Sequence, residues 1–178
     1  ISNGYDSSAA AVVAEPLGIR SALTITRGGV LSLLNDSGEK IADKLELPIR
    51  GFRSRDSGYK DHALVWAGTG RSLDLNVTLF DFPDDLTLLV VGTHGDVIWQ
   101  KGLNREYQES RHFLDREPSG TGLTEWRLHR GVFLAAIPFI GASQWDCLMR
   151  INESDAMNPY RVGGSYDRPI PRRIVEQR

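Results

Sequence analysis

The stretch between residues 62 and 99 constrains the fold more than any other part of the sequence, because it consists of short apolar segments separated by polar turns. Its centre, residues 72–80, alternates apolar and polar side chains with the period of two that is typical of a strand with one buried face. The apolar members of this alternation are Leu73, Leu75, Val77 and Leu79. A continuous apolar run follows at residues 86–91, which we expect to be a strand buried on both faces. Successive strands on short turns predict an antiparallel β protein.

The remainder of the chain adds further strands and one helix to this prediction. Apolar segments bounded by turn residues predict strands at 22–26, 30–34, 97–100, 123–129, 132–140 and 145–151. The helix is expected to begin at Asn104 and to end before Pro118. Residues 39–47 are ambiguous, since Ile41 and Leu45 have helical spacing but Pro48 ends the segment. We predict an N-terminal arm (1–20), a single β domain (21–157) and an extended C-terminal arm (158–178).

Composition narrows the class of protein. The chain has 178 residues, 25% charged residues and a net charge of −2, which is an ordinary composition for one globular domain and offers no overall basicity for nucleic acid. The longest apolar run, residues 131–141, is far shorter than the roughly 20 residues that a membrane span needs, so we expect no membrane partner. The single Cys147 excludes an internal disulfide.

No set of residues in the sequence assembles an active site. The four histidines are scattered singly, without the paired spacing of a metal site, and Ser143 lacks the glycine two residues later that a nucleophile elbow uses. Cys147 follows Asp146 in a predicted strand, where a buried, inert thiol is expected. Acidic residues at 81, 84 and 85 could bind calcium or simply face water. We therefore predict no catalytic residue, no metal site, no cofactor and no enzymatic activity.

The order of the predicted elements and the end of the chain carry a resemblance to a known family. A strand ending in WAG, the long strand at 72–80 and the later AAIPF segment follow one another as in picornavirus-like capsid proteins. The ending NPYRVGG at 158–164, with prolines at 169 and 171, resembles the small coat proteins of plant viruses related to cowpea mosaic virus, and WDC at 145–147 resembles the strand that precedes it. The resemblance implies a single eight-stranded antiparallel jelly-roll sandwich with one short helix and extended termini.

The same resemblance implies a function. It predicts a structural coat protein of a small icosahedral positive-strand RNA virus, cut from a polyprotein in the host cytoplasm and assembled with other capsid subunits into the virion. A chain that begins at Ile1 agrees with such processing. The alternative is an extracytoplasmic β-sandwich, a binding or sensor module for a small ligand or a protein.

The C-terminal arm supplies the candidate subunit contacts. Residues 161–178 contain five arginines against two acidic residues, a net charge of +3 (5 − 2). This charge allows only a weak contact with viral RNA, whereas apolar anchors and arginines together suit a neighbouring protein subunit. The candidate interface residues are Tyr160, Arg161, Val162, Tyr166, Arg168, Ile170, Arg172 and Arg173.

Overall fold

The computed structural model describes residues 1–25, 37–52, 86–99, 124–129 and 131–178. Seven α-helices and four short strands lie in this part of the chain. In order they are α1 (Tyr5–Ala14), β1 (Ala22–Ile25), α2 (Glu39–Lys44), β2 (Ile49–Phe52), β3 (Thr87–Val91), α3 (Gly95–Ile98), α4 (Thr124–His129), β4 (Val132–Ala136), α5 (Ile137–Ile140), α6 (Trp145–Glu153) and α7 (Pro169–Glu176). Short 3-10 helices occupy Glu15–Leu17, Gly141–Gln144 and Asp155–Tyr160.

The predicted antiparallel jelly roll is wrong, because the four described strands form two separate two-stranded sheets and both are parallel. In the first sheet Ala22 lies opposite Ile49, and in the second Thr87 lies opposite Val132. Parallel neighbours require a crossover of a dozen or more residues. Residues 26–48 and 92–131 supply these crossovers, and α2 and α4 lie within them. Residues 92–96, which separate the predicted strands 86–91 and 97–100, therefore start a crossover rather than a hairpin.

Several predicted strands are helices, and their side-chain spacing explains why. The segment 145–151 carries Trp145, Leu148 and Met149 at positions i, i+3 and i+4, which places all three on one side of α6. In the other two predicted strands, Val97 and Ile98 belong to α3 and residues 124–129 form α4. The strand predictions are confirmed at 22–25 (β1), at 87–91 (β3) and at 132–136 (β4), whereas the end of the predicted strand 132–140 is wrong, because residues 137–140 form α5. Pro138 lies beyond the end of β4, in the first turn of α5, where its missing N–H costs nothing.

Both termini are helical rather than extended. The alanines of α1 favour a helix over the predicted arm, because alanine loses no side-chain entropy in that conformation. At the other end, Pro169 lies in the first turn of α7, which preorganises the backbone for a helix. The ambiguous segment 39–47 forms the short helix α2. No helix within the described ranges combines the length and apolar character that crossing a bilayer requires.

Several sequence predictions lie outside the described residues. They include the central alternating strand at 72–80, the preceding segment at 62–67, the strand at 30–34 and the helix from Asn104. These segments stay predictions.

The main hydrophobic cluster joins both ends of the chain. Its buried members come from α1, from the end of α3 and from the region around the start of α6: Ala9, Ile98, Trp99, Ala142 and Trp145. Half-buried side chains of α7 pack against this cluster, namely Ile170, Ile174 and Val175. The last helix is consequently part of the core.

One face of the β3–β4 sheet is open. Leu88 and Phe133 lie opposite each other in the parallel register, and their side chains are 52% and 48% exposed. Leu86, just before β3, is also exposed, whereas the neighbouring Val132 is fully buried. The expectation that the 86–91 run is buried on both faces is therefore wrong. Apolar side chains on this face are available for contact with another protein surface.

The core assignment predicts a clear difference between two isoleucines. Ile98 is fully buried in the cluster and Ile140 is 66% exposed. We expect Ile98→Ala to lower the free energy of unfolding by about 2–5 kcal/mol, the usual cost of truncating a buried aliphatic side chain. Ile140→Ala should change it by about 0.5 kcal/mol or less. Equal losses in chemical denaturation of the two variants would contradict this core.

Candidate functional site

The eight candidate interface residues lie on the 3-10 helix Asp155–Tyr160, on α7 and on the loop between them. In chain order they are Tyr160, Arg161, Val162, Tyr166, Arg168, Ile170, Arg172 and Arg173. The structure gives most of them partners within their own chain. Whether they also contact other subunits stays a prediction.

Two ion pairs join α7 to the N-terminal helix. Arg168, immediately before α7, donates from Nη1 to Oδ2 of Asp6 on α1, and the two side chains are only 11% and 16% exposed. Beyond the other end of α7, Arg178 makes a bidentate ion pair with Glu15, which lies in the 3-10 helix after α1. Its Nε donates to Oε2 at 2.6 Å and its Nη2 donates to Oε1 at 2.5 Å. The last segment thus lies along α1 with complementary charges at both ends.

Arginine–aromatic contacts reinforce this docking. The guanidinium of Arg168 lies 4.2 Å from the ring centre of Tyr166, and that of Arg172 lies 5.8 Å from the ring centre of Tyr5 on α1. Both distances are within the range of cation–π attraction. Arg172 also donates from Nε to Oε1 of Glu176 at 2.5 Å, one turn further along α7. Arg168 and Arg172 are therefore held by partners on their own chain.

Tyr160 ties α7 to the segment that precedes it. The guanidinium of Arg173 lies 5.8 Å from the Tyr160 ring centre, and the Tyr160 hydroxyl accepts a hydrogen bond from Gln177 Nε2 at 3.1 Å. Ile170, on the first turn of α7, packs against the hydrophobic cluster. The apolar anchors predicted for a neighbouring subunit thus include at least one that the chain buries itself.

Asp6 is the most perturbed acid in the described residues. Its Oδ2 faces Arg168, while its Oδ1 is buried and makes no hydrogen bond within the described structure. Burial raises the pKa of the Asp6 carboxyl to about 6. The nearby charge of Asp96 acts in the same direction, and Arg168 opposes both without cancelling them. The ion pair therefore exists at a position where the carboxylate is poorly solvated.

Glycine residues allow this close burial. Gly92 and Gly95 flank the turn between β3 and α3, and this turn packs directly on the first turn of α1. A Cβ at Gly92 would come within 2.5 Å of the Ser7 backbone nitrogen, and one at Gly95 would overlap the Asp6 side chain. Absence of a side chain at these two positions lets the turn close over Asp6.

Glu15 shows the opposite behaviour at the surface. The hydrogen bond from Arg178 lowers the pKa of the Glu15 carboxyl, since it stabilises the charged form. Arg178 is exposed and Glu15 is partly exposed, and surface pairs of this kind add little to stability because water and salt screen them. The Arg178–Glu15 pair thus orients the end of the chain at the surface, whereas the Arg168–Asp6 pair lies in the α1–α7 contact.

Arg161 serves the preceding helix. Its Nη2 donates to the carbonyl oxygen of Asn152, at the end of α6, at 2.7 Å, and its Nη1 donates to Oδ1 of Asn158 at 2.7 Å. Carbonyls at a helix C-terminus lack intrahelical partners and favour a positive charge. Arg161 therefore closes α6 onto the 3-10 helix that follows it.

The loop before α7 has two exposed glycines in succession. Gly163 and Gly164 have φ angles of +74° and +75°, a region that side-chain-bearing residues rarely adopt, and nothing stands near their missing side chains. Val162 and Tyr166, on either side, are 58% and 46% exposed. The N–H of Val162 donates to the buried Asp167 carboxylate at 3.1 Å. The connection to α7 is thus a surface turn.

The residues that surround α7 in the structure have no local signal in the sequence. They lie far from α7 along the chain, and no spacing connects them to it: Asp6, Gly92, Gly95 and Asp96. Opposite charge in the two terminal segments was the one available signal.

Other chemistry-bearing residues do not gather into a site. His94 takes a turn position with φ +68°, and the centre of its ring lies 5.3 Å from that of Phe139. Cys147 is exposed on α6, so the expectation of a buried thiol in a strand is wrong. Within the described ranges, no group of three or more histidine, cysteine or acidic side chains could hold a metal ion. The candidate site is therefore the set of contacts that α7 and its flanking residues make with the rest of the chain.

A substitution at Gly92 tests the close approach of α1. We expect Gly92→Ala to lower the free energy of unfolding by about 1–3 kcal/mol, the usual cost of overpacking. The atoms nearest to the added methyl group belong to the backbone of Asp6 and Ser7, which cannot move aside as a flexible side chain can. Gly4→Ala is the matched control, since its nearest neighbour would lie at an ordinary 3.5 Å. If thermal and chemical denaturation showed equal stability for both variants, the α1–turn contact would be refuted.

A substitution at Arg161 tests its role in helix capping. Removing its charged hydrogen bonds to main-chain oxygens in Arg161→Ala should cost about 1–3 kcal/mol of unfolding free energy. Arg150→Ala, on the exposed side of α6, should change it by about 0.5 kcal/mol or less. If urea unfolding showed Arg161→Ala to be as stable as the native chain, the capping role would be contradicted and Arg161 would be available for other partners.

Comparison with known protein families, curated proteins and solved structures finds no significant match. Function therefore has to be inferred from the sequence and from the contacts of the described residues.

Proposed function

We propose that this chain is a structural subunit that acts by assembling with other protein subunits, as a coat protein does, and that it is not an enzyme. The specific form of the proposal is a coat subunit of a small icosahedral positive-strand RNA virus. It is supported by the resemblance of the ending NPYRVGG and its following prolines to small plant-virus coat proteins. The part of the resemblance that depended on strand order carries no weight, since that strand order is wrong.

The observation that carries the proposal is the docking of α7 on α1. This contact joins residues at opposite ends of the chain through charge pairs, cation–π contacts and apolar packing. None of these interactions depends on both helices belonging to the same molecule. In an assembly, α7 of one subunit can occupy the α1 surface of its neighbour with the same contacts, which is a common route to oligomers.

The loop that precedes α7 suits such an exchange. Residues 162–168 link the 3-10 helix to α7, and seven residues span up to about 23 Å when extended at ~3.3 Å per residue. The glycines at 163 and 164 have open space around them and can adopt other backbone angles at low cost. Redirecting this loop alone would send α7 to a neighbouring subunit.

The exposed face of β3–β4 offers a second contact surface for a sister subunit. Leu88 and Phe133 place two large apolar side chains next to each other at the surface. Contact with another subunit would remove this area from water at a gain of about 25 cal/mol per Å². Such a face is expected of a protein that acts by association.

RNA remains the weaker partner. Of the five arginines in the C-terminal segment, Arg168, Arg172 and Arg178 each pair with a carboxylate. A paired arginine releases fewer counterions on binding phosphate than an unpaired one, so the segment contributes little affinity for RNA. Its arginines are better explained as contacts between protein surfaces.

Deleting the C-terminal segment is a poor test of this proposal. An extended C-terminal arm could be removed after Met157 without loss of the fold, but Ile170, Ile174 and Val175 belong to the packing around the core. Truncation would expose the hydrophobic cluster and unfold the protein for reasons unrelated to assembly. A test has to keep α7 in place.

Crosslinking between two differently labelled chains provides that test. In a Cys147→Ser background, one chain carries Glu15→Cys and the other Arg178→Cys, replacing a pair whose side-chain atoms lie 2.5 Å apart. We expect a short bis-maleimide reagent to crosslink the two chains after they are refolded together at high concentration, because α7 of one docks on α1 of the other. The linker replaces the length of the native side chains, which two cysteines alone would not span. Electron microscopy of the unmodified protein, expressed with its precursor neighbours, should show closed particles.

A matched pair of variants controls for random collisions. Glu39→Cys on α2 replaces Glu15→Cys, since it is an exposed acid away from the α1–α7 contact. Equal crosslinking with both partners would rule out exchange of α7. A protein that stays monomeric at all concentrations and forms no particles would favour the binding-module alternative.

A further inference from the structure

We propose that the exposed turn at 162–166 is a site of limited proteolysis, and that the C-terminal segment cut off there, which contains α7, stays bound to α1 as a separate helical peptide. The proposal concerns a single chain and does not rest on the proposed assembly. It assigns a cleavage site to the turn, and it makes α1 and the adjoining cluster a binding surface for an arginine-bearing amphipathic helix.

The turn is accessible over its whole length. All five residues from Val162 to Tyr166 are exposed. Among the described residues, no main-chain hydrogen bond involves Gly163, Gly164 or Tyr166, and the two glycines have open space where a side chain would stand. Exposed loop tips with small residues are preferred sites of proteolytic nicking, because few contacts have to break before the chain enters a protease.

The two ends of the turn are fixed by contacts that a cut at its tip leaves in place. On the N-terminal side, the guanidinium of Arg161 donates to the main-chain oxygen of Asn152 at 2.7 Å. On the C-terminal side, Asp167 is buried, and its carboxylate accepts a hydrogen bond from the N–H of Val162 at 3.1 Å. This hydrogen bond crosses the turn, so it ties the base together whichever bond of the tip is cut.

Hydrolysis at the tip creates no buried charge. A protease adds one water molecule across a peptide bond: the hydroxyl group goes to the carbonyl carbon, which becomes a carboxylate, and the nitrogen on the other side becomes an ammonium group. Both new charges lie in the exposed turn, where water solvates them. Cutting therefore removes the covalent link without placing a charge in the packing of α7.

The contacts that hold α7 do not need the covalent link. Ile170, Ile174 and Val175 pack against the main hydrophobic cluster, and ion pairs with α1 and with the 3-10 helix after it lie before and beyond α7. Cutting turns docking into a bimolecular equilibrium, so α7 loses the effective concentration, in the millimolar range, that a short linker supplies. The apolar packing and the charge pairs remain to hold the segment.

Limited digestion of the full-length chain tests the cleavage site. Elastase is the probe, because its specificity pocket accepts small side chains and the turn offers Val162 and Ser165. We expect mass spectrometry to show the early appearance of a C-terminal peptide that begins at residue 163 or 166. Trypsin is the matched control enzyme and should release the segment much more slowly. It requires Arg161, whose guanidinium is held by α6, and the next arginine, Arg168, is followed by proline.

Size-exclusion chromatography of the cut protein tests whether the segment stays bound. At a protein concentration of about 100 μM, the segment should elute together with the rest of the chain under native conditions. In denaturant the two pieces should separate. This comparison uses the native sequence throughout, so it does not depend on a variant that fails to fold.

Exchange with synthetic peptides of residues 163–178 tests the specificity of the binding surface. A fluorescent peptide of native sequence, added in excess to the cut protein, should replace the bound segment. An Ile174→Asp peptide should bind about 100-fold more weakly or worse, because it would place a charge against the cluster. A Gln177→Ala peptide is the matched control and should bind within about twofold, since it loses only an exposed hydrogen bond to Tyr160.

Each measurement can overturn the proposal. If elastase leaves residues 162–166 intact while it degrades the rest of the chain, or if trypsin releases the segment as fast as elastase does, the tip of the turn is not the cleavage site. If the segment separates under native conditions, or if the Ile174→Asp peptide binds as well as the native peptide, α1 and the cluster are not its binding surface. Crosslinking and microscopy report assembly, so they test the proposed function separately.

Discussion

The contact between the first and the last helix encloses the main hydrophobic cluster of the described residues. α1 buries its alanines against the β3–α3 turn and the main cluster, and α7 covers the same cluster with its aliphatic side chains. Small residues are essential on both sides of the first contact, because Gly92 and Ala9 leave the space that Asp6 and the aromatic side chains occupy. The Asp6–Arg168 ion pair then lies inside this contact, where burial raises the pKa of the Asp6 carboxyl.

The sequence predicted local segments better than their arrangement. The apolar runs at 22–26, 86–91 and 132–140 contain β1, β3 and β4, because a run of aliphatic residues bounded by turn residues favours a strand in any sheet. The same runs do not reveal whether the next strand is reached by a short turn or by a long crossover. That choice separates an antiparallel sandwich from the observed parallel pairs, and it depends on contacts far apart in sequence.

Short alternating segments produced the other errors. The segment 123–129 alternates with a period of two, but its leucine, arginine and glutamate are good helix formers and it has no run of β-branched residues. In 145–151 the helical spacing of Trp145 and Leu148 was present and outweighed the alternation. Only one side of the candidate site could be predicted from the sequence. The charge of the C-terminal segment indicated its arginines, whereas Asp6, the buried partner of Arg168, has no local sequence signal.

Joining residues 6 and 168 also sets an order of events during synthesis. α1 leaves the ribosome long before α7, and at roughly 5–20 residues per second the interval is about 8 to 30 s. During that time the buried side of α1 lacks the α7 side chains that finally pack on its cluster, and Trp145 joins Trp99 only shortly before α7 emerges. Contacts between such distant residues also slow folding, because a large loop must close before they form. The nascent chain is thus exposed to aggregation until its last helix emerges, and a neighbouring subunit that is already folded could supply the missing cover.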